Sequence, residues 1–130
     1  MKVLLVHANF NVIGGAEKVA LYILESLIEE GAEKVDILTF TPFDVSYINN
    51  EYNFCFDAKK IDFIQLSQKY RSYTLNLNYL AEITDQCAGK YDVVIGSYNE
   101  LPTSAYAMQY IHHPVFANSS ILKKYHINIL

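Results

Sequence analysis

Several classes of protein are excluded by what this sequence lacks. It contains two cysteines, Cys55 and Cys87, which lie far apart and match no metal-ligand spacing. Neither a disulfide framework nor a zinc site is therefore expected, and two reduced thiols in a cytosolic protein are the better interpretation. An excess of basic residues is also missing, since ten Lys and Arg oppose fourteen Asp and Glu for a net charge of −4. A nucleic-acid partner, which needs a basic surface, is not expected.

Long apolar runs are missing too. No stretch approaches the ~18 apolar residues that identify a membrane span. The N-terminal run VLLV, residues 3–6, is shorter than the apolar region of a signal peptide, and polar residues follow it closely. Cytoplasmic localisation is therefore expected. Tryptophan is absent while tyrosine occurs eleven times, so some tyrosine rings should cover the core and keep their hydroxyls in water.

What is present is an alternation of strand-like and helix-like apolar segments. Near-continuous apolar runs predict buried strands at 2–7, 34–40 and 91–97. Residues 15–30 place their apolar side chains on one helical face, with Gly31 as a C-cap. The other predicted elements are short strands at 53–57 and 61–66, a helix within 67–88, a short helix or turn at 102–107, a strand at 108–113 and a helix opening at Ser119 or Ser120. This order predicts an α/β fold, a Rossmann-like doubly wound parallel sheet with helices on both faces.

Two adjacent glycines, Gly14 and Gly15, stand between the first strand and the first helix. They would let a ligand approach the backbone, and the N–H groups and dipole at the helix start attract an anion. A tight turn that binds nothing explains the pair as well, because neither the Walker A pattern nor the dinucleotide Gly-x-Gly-x-x-Gly pattern is present. Glu17 would repel a phosphate beside it, so its side chain is expected to point sideways and anchor a neighbouring loop.

Two later polar stretches should reach the same edge of the sheet, because the carboxyl ends of parallel strands lie together. Ser97, Asn99 and Glu100 follow one strand and could hold sugar hydroxyls or cap a helix. His112 and His113 are adjacent on another strand and so point to opposite faces. They make a poor metal pair, and a pair of hydrogen-bonded structural histidines is the alternative to a role in a site. No metal is expected.

Together, the stretches at 3–27, 91–102 and 109–114 resemble the N-terminal domain of family-4 glycosyltransferases of the GT-B fold. The resemblance covers residues 1 to about 125. It is nearest to mannosyltransferases that act on dolichol- or undecaprenol-linked sugars. It implies two Rossmann-like domains facing a cleft, with the acceptor on the N-terminal domain and the nucleotide-sugar donor on the C-terminal one. The implied reaction retains anomeric configuration and uses neither a metal nor a cofactor.

The resemblance also implies roles for particular residues. Gly14 and Gly15 would lie close to the donor diphosphate or the transferred sugar when the cleft closes. His112 takes the catalytic position near the transferred sugar and the acceptor. Asn99 and Glu100 would line the acceptor side.

The family's donor-binding domain, with two glutamates eight residues apart, has no counterpart in this sequence. Residues 1–130 are therefore expected to be an acceptor-side fragment that is inactive alone. Such a fragment should self-associate through uncovered surface, and a lipid-linked or glycan acceptor would bring it to the membrane periphery. Two other interpretations remain open. One is a non-catalytic partner subunit or interaction module completed by a second polypeptide, and the other is a small α/β nucleotide-binding protein.

Overall fold

A computed structural model describes residues 1–98 and 101–110 of the chain. Its regular elements, in chain order, are β1 (Lys2–Val6), α1 (Gly15–Glu29), β2 (Lys34–Thr39), α2 (Val45–Tyr52), β3 (Ile61–Gln65), α3 (Tyr73–Cys87), β4 (Val93–Gly96) and β5 (Met108–Gln109). Within these residues the five strands form one sheet in the order β3-β2-β1-β4-β5, and every pairing is parallel.

The sheet is covered on both faces, as its apolar strands predict. Alternate residues of β1 point in opposite directions, and Val3 to Val6 are all buried. Val3 and Leu5 pack in one cluster with residues of α1 and α2. Leu4 and Val6 pack in the other cluster, with residues of α3. The predicted doubly wound α/β fold with helices on both faces is therefore confirmed.

The strand order places a switch point beside β1. From β1 the chain builds outwards to β2 and β3 on one side, and then returns to add β4 and β5 on the other. Open α/β sheets bind ligands at such a point, beyond the carboxyl ends of the strands.

The region between β2 and β3 differs from the sequence prediction. Residues 45–52 form helix α2, which was not predicted, and residues 53–57 are not a strand. Asp44 caps the start of the helix, since its side chain accepts a hydrogen bond from the Tyr47 N–H at 2.8 Å. Asn53, in the left-handed conformation, caps its end. Of the short helix or turn predicted at 102–107, the structure has a bend at 104–105 and no helix, and β5 covers only two residues of the strand predicted at 108–113. Tyr110 is described and is not part of the strand, whereas residues 111–113 and the helix predicted from Ser119 or Ser120 lie outside the described residues.

Three side-chain amides hold irregular segments in place. Each one donates to the carbonyl and accepts the N–H of a single loop residue, as a neighbouring strand would. The pairs are Asn49 with Phe56, Asn76 with Tyr70, and Gln109 with Leu101. These bonds satisfy backbone groups that no ladder reaches.

Asp85 holds the loop that precedes β5 against α3. Its carboxylate accepts hydrogen bonds from the Thr103 hydroxyl, from the Ser104 hydroxyl at 2.9 Å and backbone at 3.0 Å, and from the Ala105 N–H at 3.1 Å. Burial opposes ionisation of the carboxyl group, but these donors outweigh it and hold the pKa of Asp85 below its ordinary value.

No helix in residues 1–98 and 101–110 combines the length and apolar character that crossing a bilayer requires.

We expect Asp85→Asn to lower the free energy of unfolding at pH 7 by about 1 kcal/mol, because the bonds are charge-assisted but exposed to water. A carboxyl group with a lowered folded-state pKa stabilises the fold fully above its unfolded pKa of about 3.9. The contribution is lost as the pH falls through the lower folded-state value. Urea unfolding of wild type and variant from pH 7 downward should therefore show a difference that shrinks below pH about 4.

Glu82→Gln is the matched control, since Glu82 is an exposed carboxylate on the same helix. It should have little effect at any pH. An Asp85→Asn variant as stable as this control at pH 7 would contradict the assignment.

Candidate functional site at the switch point of the sheet

Two buried polar residues stand side by side where β1 and β4 end. His7 directly follows β1, and Ser97 directly follows β4. The Ser97 N–H donates to the Val6 carbonyl at 3.0 Å, which continues the β1–β4 ladder by one bond. Both residues are 0% exposed. An imidazole and a hydroxyl are thus buried beneath the switch point of the sheet.

The His7 ring is hydrogen-bonded through both nitrogens. Its Nε2 lies 2.9 Å from Glu17 Oε2, and its Nδ1 lies 3.1 Å from Ser97 Oγ and 3.2 Å from the Ser97 carbonyl oxygen. An ionised carboxylate only accepts hydrogen bonds, so Nε2 carries a proton. In the neutral ring Nδ1 then accepts from the Ser97 hydroxyl. That hydroxyl has an alternative acceptor in the Val6 carbonyl, at 3.4 Å.

Glu17 connects this buried pair to the glycine loop. It is the third residue of α1, and its Oε1 accepts the Gly14 N–H at 3.1 Å. The contact is one half of a capping box, in which Gly14 has no side chain to supply the other half. A negative charge in the first turn also suits the helix dipole. The expectation that Glu17 anchors a neighbouring loop is therefore confirmed, and the N–H of Gly14 is engaged by Glu17.

The two glycines have different surroundings. Neither has positive φ; of the chain's five glycines, all within the described residues, only Gly31 does, at 101°. A Cβ placed on Gly14 would come within 3.3 Å of Glu17 Oε1, which is tighter than an ordinary contact. A Cβ placed on Gly15 would meet nothing within 4 Å. Gly14 thus makes room for the Glu17 carboxylate, whereas Gly15 opens onto free space at the start of α1.

Aromatic rings enclose the His7 imidazole. Tyr98 approaches it edge-on, with ring centroids 5.0 Å apart, and Phe10 lies at 4.5 Å on a tilted plane. Burial, followed by the neighbouring Tyr73 and the charge of Glu17, raises the pKa of Tyr98 to about 12. Tyr98 therefore remains a neutral phenol at physiological pH and acts as a hydrogen-bonding group rather than as an anion.

The structure positions some of the predicted site residues and leaves others undescribed. Gly14, Gly15 and Ser97 lie at the carboxyl edge of the sheet, where the alternation of strands and helices predicts them. Asn99, Glu100 and His112 lie outside the described residues, so their assigned roles stay predictions. In the part of the chain that the structure describes, no group of three His, Cys, Asp or Glu side chains is arranged to hold a metal ion.

His7 and Tyr98 fall in polar stretches that are predicted at this edge of the sheet, but the sequence alone assigns neither of them an individual role. A histidine at the end of a fully apolar strand, followed ten residues later by a glutamate in the first turn of a helix, is the signal that could have identified the His7–Glu17 pair. His7 is fully buried and therefore has no surface for a ligand. Its hydrogen bonds orient Glu17 and connect the ends of β1 and β4. Among the described residues of the site, the Gly15 backbone, the Glu17 carboxylate and the Tyr98 ring keep surface that a ligand could contact.

Glu17→Ala should lower the free energy of unfolding by about 1–3 kcal/mol, because it removes the carboxylate that accepts from the buried His7 Nε2–H. The Gly14 N–H loses one of its two acceptors and keeps the Val12 carbonyl, at 3.1 Å. Glu17→Gln should lose less. Its amide oxygen can still accept from Gly14, and its NH₂ can donate to Nε2 if the ring proton moves to Nδ1 and faces the Ser97 carbonyl. Urea unfolding at pH 7 measures both.

The exposed Glu29, at the far end of the same helix, provides the control. Glu29→Ala should leave stability unchanged or raise it slightly, since a negative charge at a helix C-terminus is unfavourable. Equal effects of the two alanine variants would show that the Glu17 bridge contributes nothing to stability.

A scan against protein-family models, a search of curated proteins and a search of solved structures each found no match. The family resemblance therefore rests on the sequence motifs alone, while the α/β architecture rests on the structure itself.

Proposed function

We propose that this chain is the acceptor-side domain of a retaining, nucleotide-sugar-dependent glycosyltransferase and that it does not transfer sugar by itself. The donor would be held by a second Rossmann-like domain, in the same or another polypeptide. The proposal combines the motif resemblance with the geometry of the switch point.

The open backbone at Gly15 is the observation that carries the proposal. Gly15 begins α1 at the edge where doubly wound sheets bind ligands, and a side chain there would meet no protein atom within 4 Å. Packing within the described residues therefore does not require a glycine at this position. A ligand that approaches the helix start closely gives a reason for one.

The position of Glu17 supports division of the substrates between two domains. Its carboxylate accepts a hydrogen bond from the Gly14 N–H and adds negative charge to the first turn of α1. This end of the helix is thus a poor sole holder for a diphosphate, which would be repelled at short range. A sugar hydroxyl, in contrast, can donate to a carboxylate. The arrangement favours contact with the transferred sugar or the acceptor, with the donor diphosphate held mainly from the other side of the cleft.

The main alternative is a small nucleotide-binding protein, because nucleotides also bind at the switch points of such sheets. The Glu17 carboxylate argues against this alternative, because its negative charge would repel the phosphates of a nucleotide. Nucleotide affinity therefore separates the two functions.

Isothermal titration of the 130-residue chain with UDP, GDP and ADP should give dissociation constants weaker than about 1 mM, which corresponds to −4.1 kcal/mol. The chain should also release no nucleotide from nucleotide-sugars, because catalysis in two-domain enzymes needs both substrates aligned across a closed cleft. Turnover should appear when a donor-binding domain with the glutamate pair is supplied. Micromolar binding of a free nucleotide, abolished by Gly15→Val, would instead favour the nucleotide-binding protein.

A further inference from the structure

We propose that a cavity between the β1–α1 and β2–α2 loops binds a neutral carbohydrate ring. The cavity has a volume of about 430 Å³ and is lined by residues 10–13 of the first loop and by residues 41–44 with part of α2. Its size lies within the range of small-molecule sites, about 300–1,000 Å³. The inference rests on the proposed function only in identifying the ring as part of the acceptor.

The inner wall of the cavity is rigid and apolar. Phe10 and Phe43 are buried and meet edge to face, with ring centroids 4.9 Å apart. Phe10 also contacts the His7 ring, at 4.5 Å. Phe10 therefore separates the cavity from the buried imidazole at the switch point.

The rim presents aromatic surface to solvent. Tyr47 is 55% exposed, and its ring is nearly perpendicular to that of Tyr52, with centroids 6.5 Å apart. Val12 closes the opposite loop and is 74% exposed. The C–H face of a pyranose stacks on such exposed tyrosine rings, which offer a large apolar area at a low cost in side-chain entropy.

The polar groups at the rim favour hydroxyls over phosphates. Asp44 uses Oδ1 to accept the Tyr47 N–H at 2.8 Å, which leaves Oδ2 able to accept from a ligand hydroxyl. Asn11 and Thr41 line the same cavity and can both donate and accept. Lys18 does not line the cavity, and its Nζ lies 5.7 Å from the centre of the Tyr52 ring. The cavity itself carries a carboxylate, so a neutral polyol suits it better than an anion.

Chemical-shift mapping of the ¹⁵N-labelled 130-residue chain tests the proposal. The probes are methyl α-D-mannopyranoside and methyl β-D-glucopyranoside, with adenosine and inorganic phosphate as comparisons. We expect at least one glycoside to give saturable shifts at millimolar concentrations, confined to amides in 10–13 and 41–52. Adenosine and phosphate should leave those amides unchanged.

Three variants identify the groups responsible. Tyr47→Ala should weaken glycoside binding tenfold or more, while Tyr47→Phe should preserve it, since the ring supplies the stacking surface. Asp44→Asn should also weaken binding, yet asparagine is a good N-cap, so α2 should persist. Tyr106→Ala removes a tyrosine that is 98% exposed and does not line the cavity, and it should change nothing.

Each other result overturns the proposal. These results are the absence of shifts with both glycosides, shifts that saturate elsewhere in the chain, stronger binding of adenosine or phosphate at the same amides, or binding unaffected by Tyr47→Ala and Asp44→Asn. Failure of the proposed transferase function is a separate outcome. If glycosides bind in the cavity but no donor domain restores turnover, the carbohydrate site stands and the transferase function is wrong. If a donor domain restores turnover and Tyr47→Ala does not affect it, the transferase function stands and the carbohydrate site is wrong.

Discussion

The structure around the switch point depends on satisfying one buried imidazole. His7 has no access to water, so both of its ring nitrogens need partners within the protein. Glu17 serves Nε2 and Ser97 serves Nδ1. These two bonds tie the start of α1 and the end of β4 to the end of β1. The second oxygen of Glu17 then fixes the glycine loop through Gly14. A single side chain therefore positions the loop on which the proposed ligand contacts depend.

The same constraint shapes what the site can bind. A helix start at the switch point is the usual place for a phosphate, but here a carboxylate of the chain already occupies part of it. Gly15 remains open, and Tyr98 remains a neutral phenol against the His7 ring. The cavity beyond Phe10 adds the exposed Tyr47 ring, the partly exposed Tyr52 ring and the Asp44 carboxylate. Both regions favour hydroxyl-bearing groups over isolated anions, which agrees with the acceptor-side role proposed above.

The sequence predicts the parts of the fold that follow from local pattern. Apolar runs identify β1, β2 and β4, and helical spacing identifies α1 and α3, because burial on two faces or on one stripe leaves a clear signal. Helix α2 is not predicted from the sequence because only Ile48 in it is buried, so no apolar face repeats along it. Its ends are set by the Asp44 cap and by Asn53 in the left-handed conformation. The contacts within the site cannot be predicted from the sequence for a different reason. Glu17 reaches His7 across a turn, and Ser97 is ninety positions from His7, so only the strand–turn–helix geometry and the β1–β4 pairing bring the three together.

The protonation of the His7 ring tests this account most directly. A long-range ¹H–¹⁵N correlation spectrum at neutral pH distinguishes a nitrogen that carries a proton from one that does not. The bridge to Glu17 predicts that Nε2 carries the proton, and that this assignment changes in Glu17→Gln, where the proton moves to Nδ1. A wild-type spectrum with an unprotonated Nε2 would place two acceptors face to face, and it would contradict the bridge on which the rest of the site is built.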